Sequence, residues 1–192
     1  MTDVVHSDGD RRSDVLVAAL RTFSRFGYRK TTMDDVAADA QISRPGLYFL
    51  FASKSSLFRE AAEHGVELDL SAAERAFTTP GQPADQRIAA AFDAWAGRYI
   101  GPLHDTAALL AENPDLLGPV ALSAPAKFEA LLIAALEPAT GSRDAPTMAR
   151  TLISLSIGIK HQVVTLEDYR SRMADALSLL IPADRGVLKP RR

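Results

Sequence analysis

The sequence predicts an all-α protein. Strand-like alternation is scarce. The longer segments rich in Ala, Leu and Glu repeat their apolar residues with a period near 3.6. Pro102, Pro114, Pro119, Pro138 and Pro182 fall between those segments and punctuate them. The chain has 192 residues, enough for one or two domains with a real core. Residues 10–56 are expected to form an N-terminal three-helix module with a helix-turn-helix, and residues 57–185 a C-terminal helical domain. Residues 1–9 and 186–192 are expected to be flexible tails.

The first helix is predicted over residues 13–26. Val15, Leu16, Ala19, Leu20 and Phe23 make its buried stripe, and Gly27 suits the position just past its end. Thr32 caps a second, short helix whose opening acids, Asp34 and Asp35, favour the helix dipole. Val36, Ala37 and Ala40 give it an inner face. Residues 41–43 turn the chain, and a third helix covers 44–50. Ser53 caps a fourth, over 54–77, with Leu57, Phe58, Ala61, Ala62 and Val66 facing inward. The TTPGQPAD stretch at 78–85 is the clearest break. Further helices are expected over 84–100, 104–111, 121–137, 145–163 and 166–181.

Composition removes several classes of function. The chain has no cysteine, so it holds no disulfide, thiol nucleophile or Cys-ligated zinc. Its acidic start lacks the pattern of a signal peptide, and no apolar run approaches the roughly 18 residues that span a bilayer. A cytoplasmic location is expected. The four histidines, His6, His64, His104 and His161, fall in no H-E-x-x-H arrangement, and neither a nucleophile elbow nor a phosphate-binding Gly loop is present. His64 and Glu67 could face the same way, but two groups make a weak metal site. No enzyme activity, metal or cofactor is therefore expected.

Net charge is −2, yet its distribution is uneven. Residues 10–60 carry nine Lys/Arg against six Asp/Glu, a balance of +3; residues 61–192 carry thirteen against sixteen, −3, and residues 1–9 add −2. A basic module on an acidic chain points to a polyanion partner.

Two short helices joined by a three-residue turn read as a helix-turn-helix, whose second helix enters the DNA major groove. On that reading Ser43, Arg44, Pro45, Gly46, Tyr48 and Phe49 belong to the DNA surface. Pro45 fits the first turn, where a missing N–H costs little. Gly46 lets the backbone approach DNA. Arg44 can donate to guanine or phosphate, and Tyr48 can offer its hydroxyl to phosphate. Phe49 also reads as core, as Phe51 and Phe58 do. Lys54 opposes its own helix dipole, and a phosphate there would resolve the conflict.

Residues 15–60 resemble the N-terminal domain of TetR-type transcriptional regulators. The resemblance is carried by Phe23, Gly27 and Tyr28; by Thr31, Thr32, Met33, Val36 and Ala37; and by Ile42, Ser43, Leu47, Tyr48, Phe51, Ser53, Lys54, Leu57 and Phe58, all in one register. It implies a homodimer that places its third helices in successive major grooves of a palindromic operator. It implies a repressor, released when a small molecule binds the C-terminal domain. Thr31 or Thr32, Tyr48 and Lys54 fall where the family contacts phosphate, and Arg44 and Pro45 where it reads bases. Gln41, in place of a turn Gly, and Gly46, in place of Thr, Ser or Ala, depart from the pattern, as do Phe49 and Leu50. They leave few polar groups for reading bases, and open the way to apolar contact with a thymine methyl.

In the C-terminal domain, Phe92, Trp95 and Tyr99 share one helix face, with His104 nearby. They read either as core or as the wall of a pocket for a small, largely apolar effector. The last two helices are apolar on more than one side, which suggests a partner. Leu155, Ile159, Tyr169, Met173, Leu177 and Leu180 are the expected dimer residues. The competing reading is a helical adaptor or small-molecule-binding protein without sequence-specific DNA binding.

Overall fold

The computed structural model describes residues 8–100 and 105–181, and among them it contains helices and no strand. Helix α1 covers Asp8–Phe26, α2 Met33–Asp39, α3 Arg44–Leu50, α4 Lys54–Phe77, α5 Ala84–Ala96, α6 Asp105–Glu112, α7 Pro119–Thr140, α8 Ala145–Lys160 and α9 Leu166–Leu180. Single 3-10 turns follow at Gly97–Tyr99 and Pro114–Leu116. The chain divides into two compact units. One comprises Met1–Leu68 with Pro102–Ala124, the other Asp69–Gly101 with Pro125–Arg192, so α4 and α7 contribute residues to both. The first unit thus takes in more chain than residues 10–56, because α6 packs on α1: Ser24 Oγ and Thr106 Oγ1 meet at 2.6 Å, and Leu109 joins the core.

The core of the first unit is the stripe read from sequence. Val15, Leu16, Ala19, Leu20 and Phe23 of α1 meet Val36 and Ala37 of α2, Leu47 of α3, and Leu57, Phe58 and Ala61 of α4. Phe23 and Phe58 pack edge to face at 5.2 Å, with Tyr28 5.0 Å from Phe58. Helix α1 begins earlier than expected and stops at Gly27, whose φ of +79° is cheap only without a Cβ. Gln41 takes the same left-handed region, at φ +53°, in the turn between α2 and α3.

The second unit gathers Phe92, Phe128, Leu132, Leu136, Leu152, Tyr169, Met173 and Leu177 into one core from α5, α7, α8 and α9. Pro138 was expected to end a helix but lies inside α7, as does Pro125. Helix α7 is also long and apolar enough to cross a membrane by length and composition, with a mean hydropathy of 1.4. Its Phe128, Leu132 and Leu136 pack into the core of the second unit, although only 22% of the apolar window is buried within the chain.

Tyr169 is buried, and its hydroxyl meets Ser156 Oγ at 2.7 Å. Burial pushes its pKa up from 10.0 to about 12, the Ser156 hydrogen bond opposing and the charge of Asp93 adding. The folded state therefore keeps a proton that the unfolded chain loses above about pH 10. The stabilisation is complete below pH 10 and is lost as pH rises through about 12. Tyr169→Phe should cost about 1 kcal/mol near neutrality, because Ser156 loses its partner. It should then lose about 2–3 kcal/mol less than the native chain between pH 9 and 12. Guanidinium unfolding at those two pH values checks this, and parallel losses in both proteins would contradict it.

Candidate nucleic-acid interface

Helices α2 and α3 make the helix-turn-helix. Thr32 closes a capping box at the start of α2: its Oγ1 accepts from the Asp35 N–H at 3.2 Å, and its own N–H donates to Asp35 Oδ2 at 2.8 Å. The Thr32 hydroxyl bond, then the backbone one, hold the Asp35 carboxyl below its usual pKa. Asp39, at the other end of α2, accepts from Arg21 Nε at 3.1 Å and Thr22 Oγ1 at 2.8 Å, which ties α2 to α1. Arg21 is the largest cause of its lowered pKa, so this tie is present at neutral pH and is lost as pH falls through the carboxylate range.

Helix α3 starts at Ser43, whose Oγ accepts from the Gly46 N–H at 3.1 Å. A Cβ on Gly46 would come within 3.1 Å of that oxygen, so this glycine also leaves the cap room. At the other end Arg12 Nη1 donates to Leu50 O at 2.9 Å. The Arg12 guanidinium lies 4.3 Å from the Phe51 ring centroid and pairs with Glu60. Arg12 drew no attention in the sequence, because a backbone carbonyl acceptor leaves no signature there.

The expected DNA residues separate into three groups. Arg44, Pro45, Tyr48 and Phe49 are exposed on the outer side of α3, and Phe49 is 90% exposed, so its core reading is excluded. Arg44 spans Asp34, with Nε to Oδ1 and Nη1 to Oδ2 both at 3.1 Å, and its guanidinium lies 5.7 Å from the Tyr48 ring. Both partners are exposed, so this pair is worth little and yields readily to a stronger anion. Thr32 and Ser43 sit at the surface as caps. Thr31 and Lys54 face the protein. Thr31 is buried and donates to Gly27 O at 2.9 Å. Lys54 Nζ donates to Tyr28 O at 2.9 Å, Thr31 O at 3.0 Å and Arg29 O at 3.4 Å, and lies 4.5 Å from the Tyr28 ring centroid. Here the ammonium resolves its conflict with the helix dipole by binding carbonyls of the α1–α2 loop. A phosphate contact would have to share or displace those bonds.

Residues 15–61 match the family model described as bacterial regulatory proteins, tetR family. This module is that of the TetR family. Over 62 residues the chain is 39% identical to the uncharacterized HTH-type transcriptional regulator YfiR of Bacillus subtilis, a match covering 32% of this chain and 30% of that one. Over 86 residues it is 34% identical to the HTH-type transcriptional activator FasR of Mycolicibacterium smegmatis, covering 45% and 39%. The chain thus matches less than half the length of either relative. Among solved structures, a TetR-like transcriptional regulator from Rhodococcus is similar at a TM-score of 0.66 and 23% identity, covering 90% of this chain and 96% of that one. The TetR family transcriptional regulator PfmR from Thermus thermophilus gives 0.64 and 18%, covering 87% and 96%. At these identities the likeness is one of fold, and it extends through the C-terminal helices.

Of the expected effector residues, Phe92, Trp95 and Tyr99 lie in the second unit. Phe92 is buried edge-on to Phe128 at 5.3 Å, and Trp95 stacks on the same ring at 4.9 Å and 10°. Tyr99 donates to Asp69 Oδ2 at 2.8 Å, and the Lys160 ammonium lies 5.1 Å from its ring. His104 lies outside the described residues. Of the expected dimer residues, Tyr169, Met173 and Leu177 form the inner face of α9 and are buried within the unit, as is Ile159 of α8. Leu155 is exposed and Leu180 half-buried. A groove of about 510 Å³ runs beside α8, lined by Thr147, Thr151, Leu155, Gly158, Gln162 and Arg172 among others. His64 meets Ser13 Oγ at 2.8 Å, and no cluster of three potential metal ligands occurs among the described residues.

The Lys54 bonds predict a measurable role in stability. Lys54→Met keeps the stem and removes the ammonium, and it should lower unfolding stability by about 1.5–3 kcal/mol, the range for hydrogen bonds to a charged group. Urea unfolding at neutral pH reads this. An unchanged midpoint would mean that the three carbonyls gain nothing from the charge.

Proposed function

We propose that the protein is a DNA-binding transcriptional regulator that acts as a homodimer on a palindromic operator in the cytoplasm. The observation that carries this reading is α3: a short helix capped by Ser43, gripped by Arg12 and presenting Arg44, Pro45, Tyr48 and Phe49 outward within a TetR-family module. The +3 balance of residues 10–60 suits a polyanion. Repression relieved by a small apolar effector, bound near Trp95 and Tyr99, follows the resemblance. FasR bears the name of an activator, so the direction of control is read from whether deleting the gene raises or lowers its target transcripts. No enzymatic role is proposed.

A partner subunit on the groove beside α8 would meet Leu155, Gly158 and Thr151 with Arg172 of α9. A Cβ on Gly158 meets nothing within 4 Å in the chain, so a second helix can approach there. Leu155 is 37% exposed, and Leu155→Glu should therefore leave the fold intact in the free subunit. In a dimer the same glutamate is buried at the seam, a cost of several kcal/mol that Arg172 in the groove offsets only in part. The test combines light scattering with fluorescence anisotropy on duplexes from the DNA flanking its gene. The native protein should be dimeric and bind one such duplex with salt-dependent affinity, and Leu155→Glu should be a folded monomer that binds it at least tenfold more weakly. Absence of duplex binding by the native dimer would end the regulatory reading, and a dimeric Leu155→Glu would move the interface elsewhere.

A further inference from the structure

Helix α3 turns an apolar face outward. Pro45 and Phe49 are four residues apart, hence on one side of the helix, and both are exposed. Phe49, at 90%, is the most exposed large hydrophobic residue among those described. Gly46 and Leu50 add no polar side-chain atom. The polar atoms that α3 does carry are largely engaged. Arg44 faces both carboxylate oxygens of Asp34, and Ser43 Oγ caps the helix. The Tyr48 hydroxyl stands one residue from the Phe49 ring along the helix.

A phenyl ring left this exposed gains nothing from burial within its own chain. Its position, on the second helix of a helix-turn-helix in the basic part of the sequence, gives it a counterpart. Base pairs present mainly hydrogen-bonding atoms in the major groove, and the apolar exception is the C5 methyl of thymine. We infer that Phe49, backed by Pro45, packs against a thymine C5 methyl in each half-site, and that this contact selects the base there. The inference rests on the DNA-binding reading and adds the chemistry by which the site is chosen. Arg44 then serves chiefly the phosphates or a neighbouring guanine, once DNA competes with Asp34.

The test removes the methyl alone. Full-length protein selects duplexes from a random-sequence library, and each thymine of the selected duplex is replaced in turn by uracil, which pairs identically. One uracil per half-site removes two methyls and should weaken native binding about fifteenfold, about fourfold for each buried methyl-sized group. The same replacement should leave the affinity of Phe49→Ala unchanged, while Phe49→Leu keeps part of the penalty. Phe49→Ala should unfold at the native midpoint, because the ring makes little contact within the chain. Equal tolerance of uracil at every position, with sequence selection intact, overturns the inference and leaves the DNA-binding reading standing. A uracil penalty that persists in Phe49→Ala also overturns it, since another side chain then holds the methyl. Failure to bind any duplex removes both readings.

Discussion

Helix α3 is held by a single fully buried side chain, Leu47, and everything it offers to solvent depends on the grip at its two ends. Seven residues of helix make few internal hydrogen bonds and do not stand alone in water. The N-terminal end is fixed by the Ser43 cap and by the Gln41 turn, whose left-handed backbone redirects the chain out of α2. The C-terminal end is fixed by Arg12, which reaches from α1 to the Leu50 carbonyl while lying against Phe51. With Leu47 inside, Leu50 partly packed on the same core and both ends clamped, Arg44, Pro45, Tyr48 and Phe49 stay exposed. This is the arrangement a reading helix requires: rigid in position, unsatisfied in surface.

The same economy governs the loop before α2. Lys54 gathers three carbonyls from residues 28–31, and Thr31 adds an internal bond to Gly27, so the Thr32 cap is presented from a braced loop. A phosphate-binding surface gains from such bracing, because positioning contacts fix register on the duplex. In the second unit, packing of Phe92, Trp95 and Phe128 and the buried Ser156–Tyr169 bond make a firm core. On the proposed reading, a ligand bound there would alter DNA affinity only by its differential affinity for the protein's states.

Where local chemistry decides structure, the sequence was legible. Thr32 and Ser53 precede α2 and α4, and Gly27 follows α1, because caps and left-handed turns are written in single residues; Ser43 read only as part of a turn, and the structure makes it the cap of α3. The all-α class followed from periodicity alone. Where a choice between two faces decides structure, the sequence was silent. Helix α9 is apolar on two sides, and only tertiary packing assigns Tyr169, Met173 and Leu177 to the interior and leaves Leu179 exposed. Phe49 read more readily as core than as DNA surface for the same reason, and the structure leaves it exposed. Thr31 was assigned to phosphate by resemblance and Lys54 by its conflict with the helix dipole as well, whereas backbone carbonyls, invisible to pattern, engage both here. Pro138 fails to end α7 because a proline near a helix's C-terminal end removes one hydrogen bond without forcing a stop.

Amide hydrogen exchange of the full-length protein, with and without saturating duplex DNA, tests the central claim most directly. If α3 is the reading helix, protection on binding should concentrate in residues 41–54. Tight duplex binding with protection confined to other segments would contradict the account.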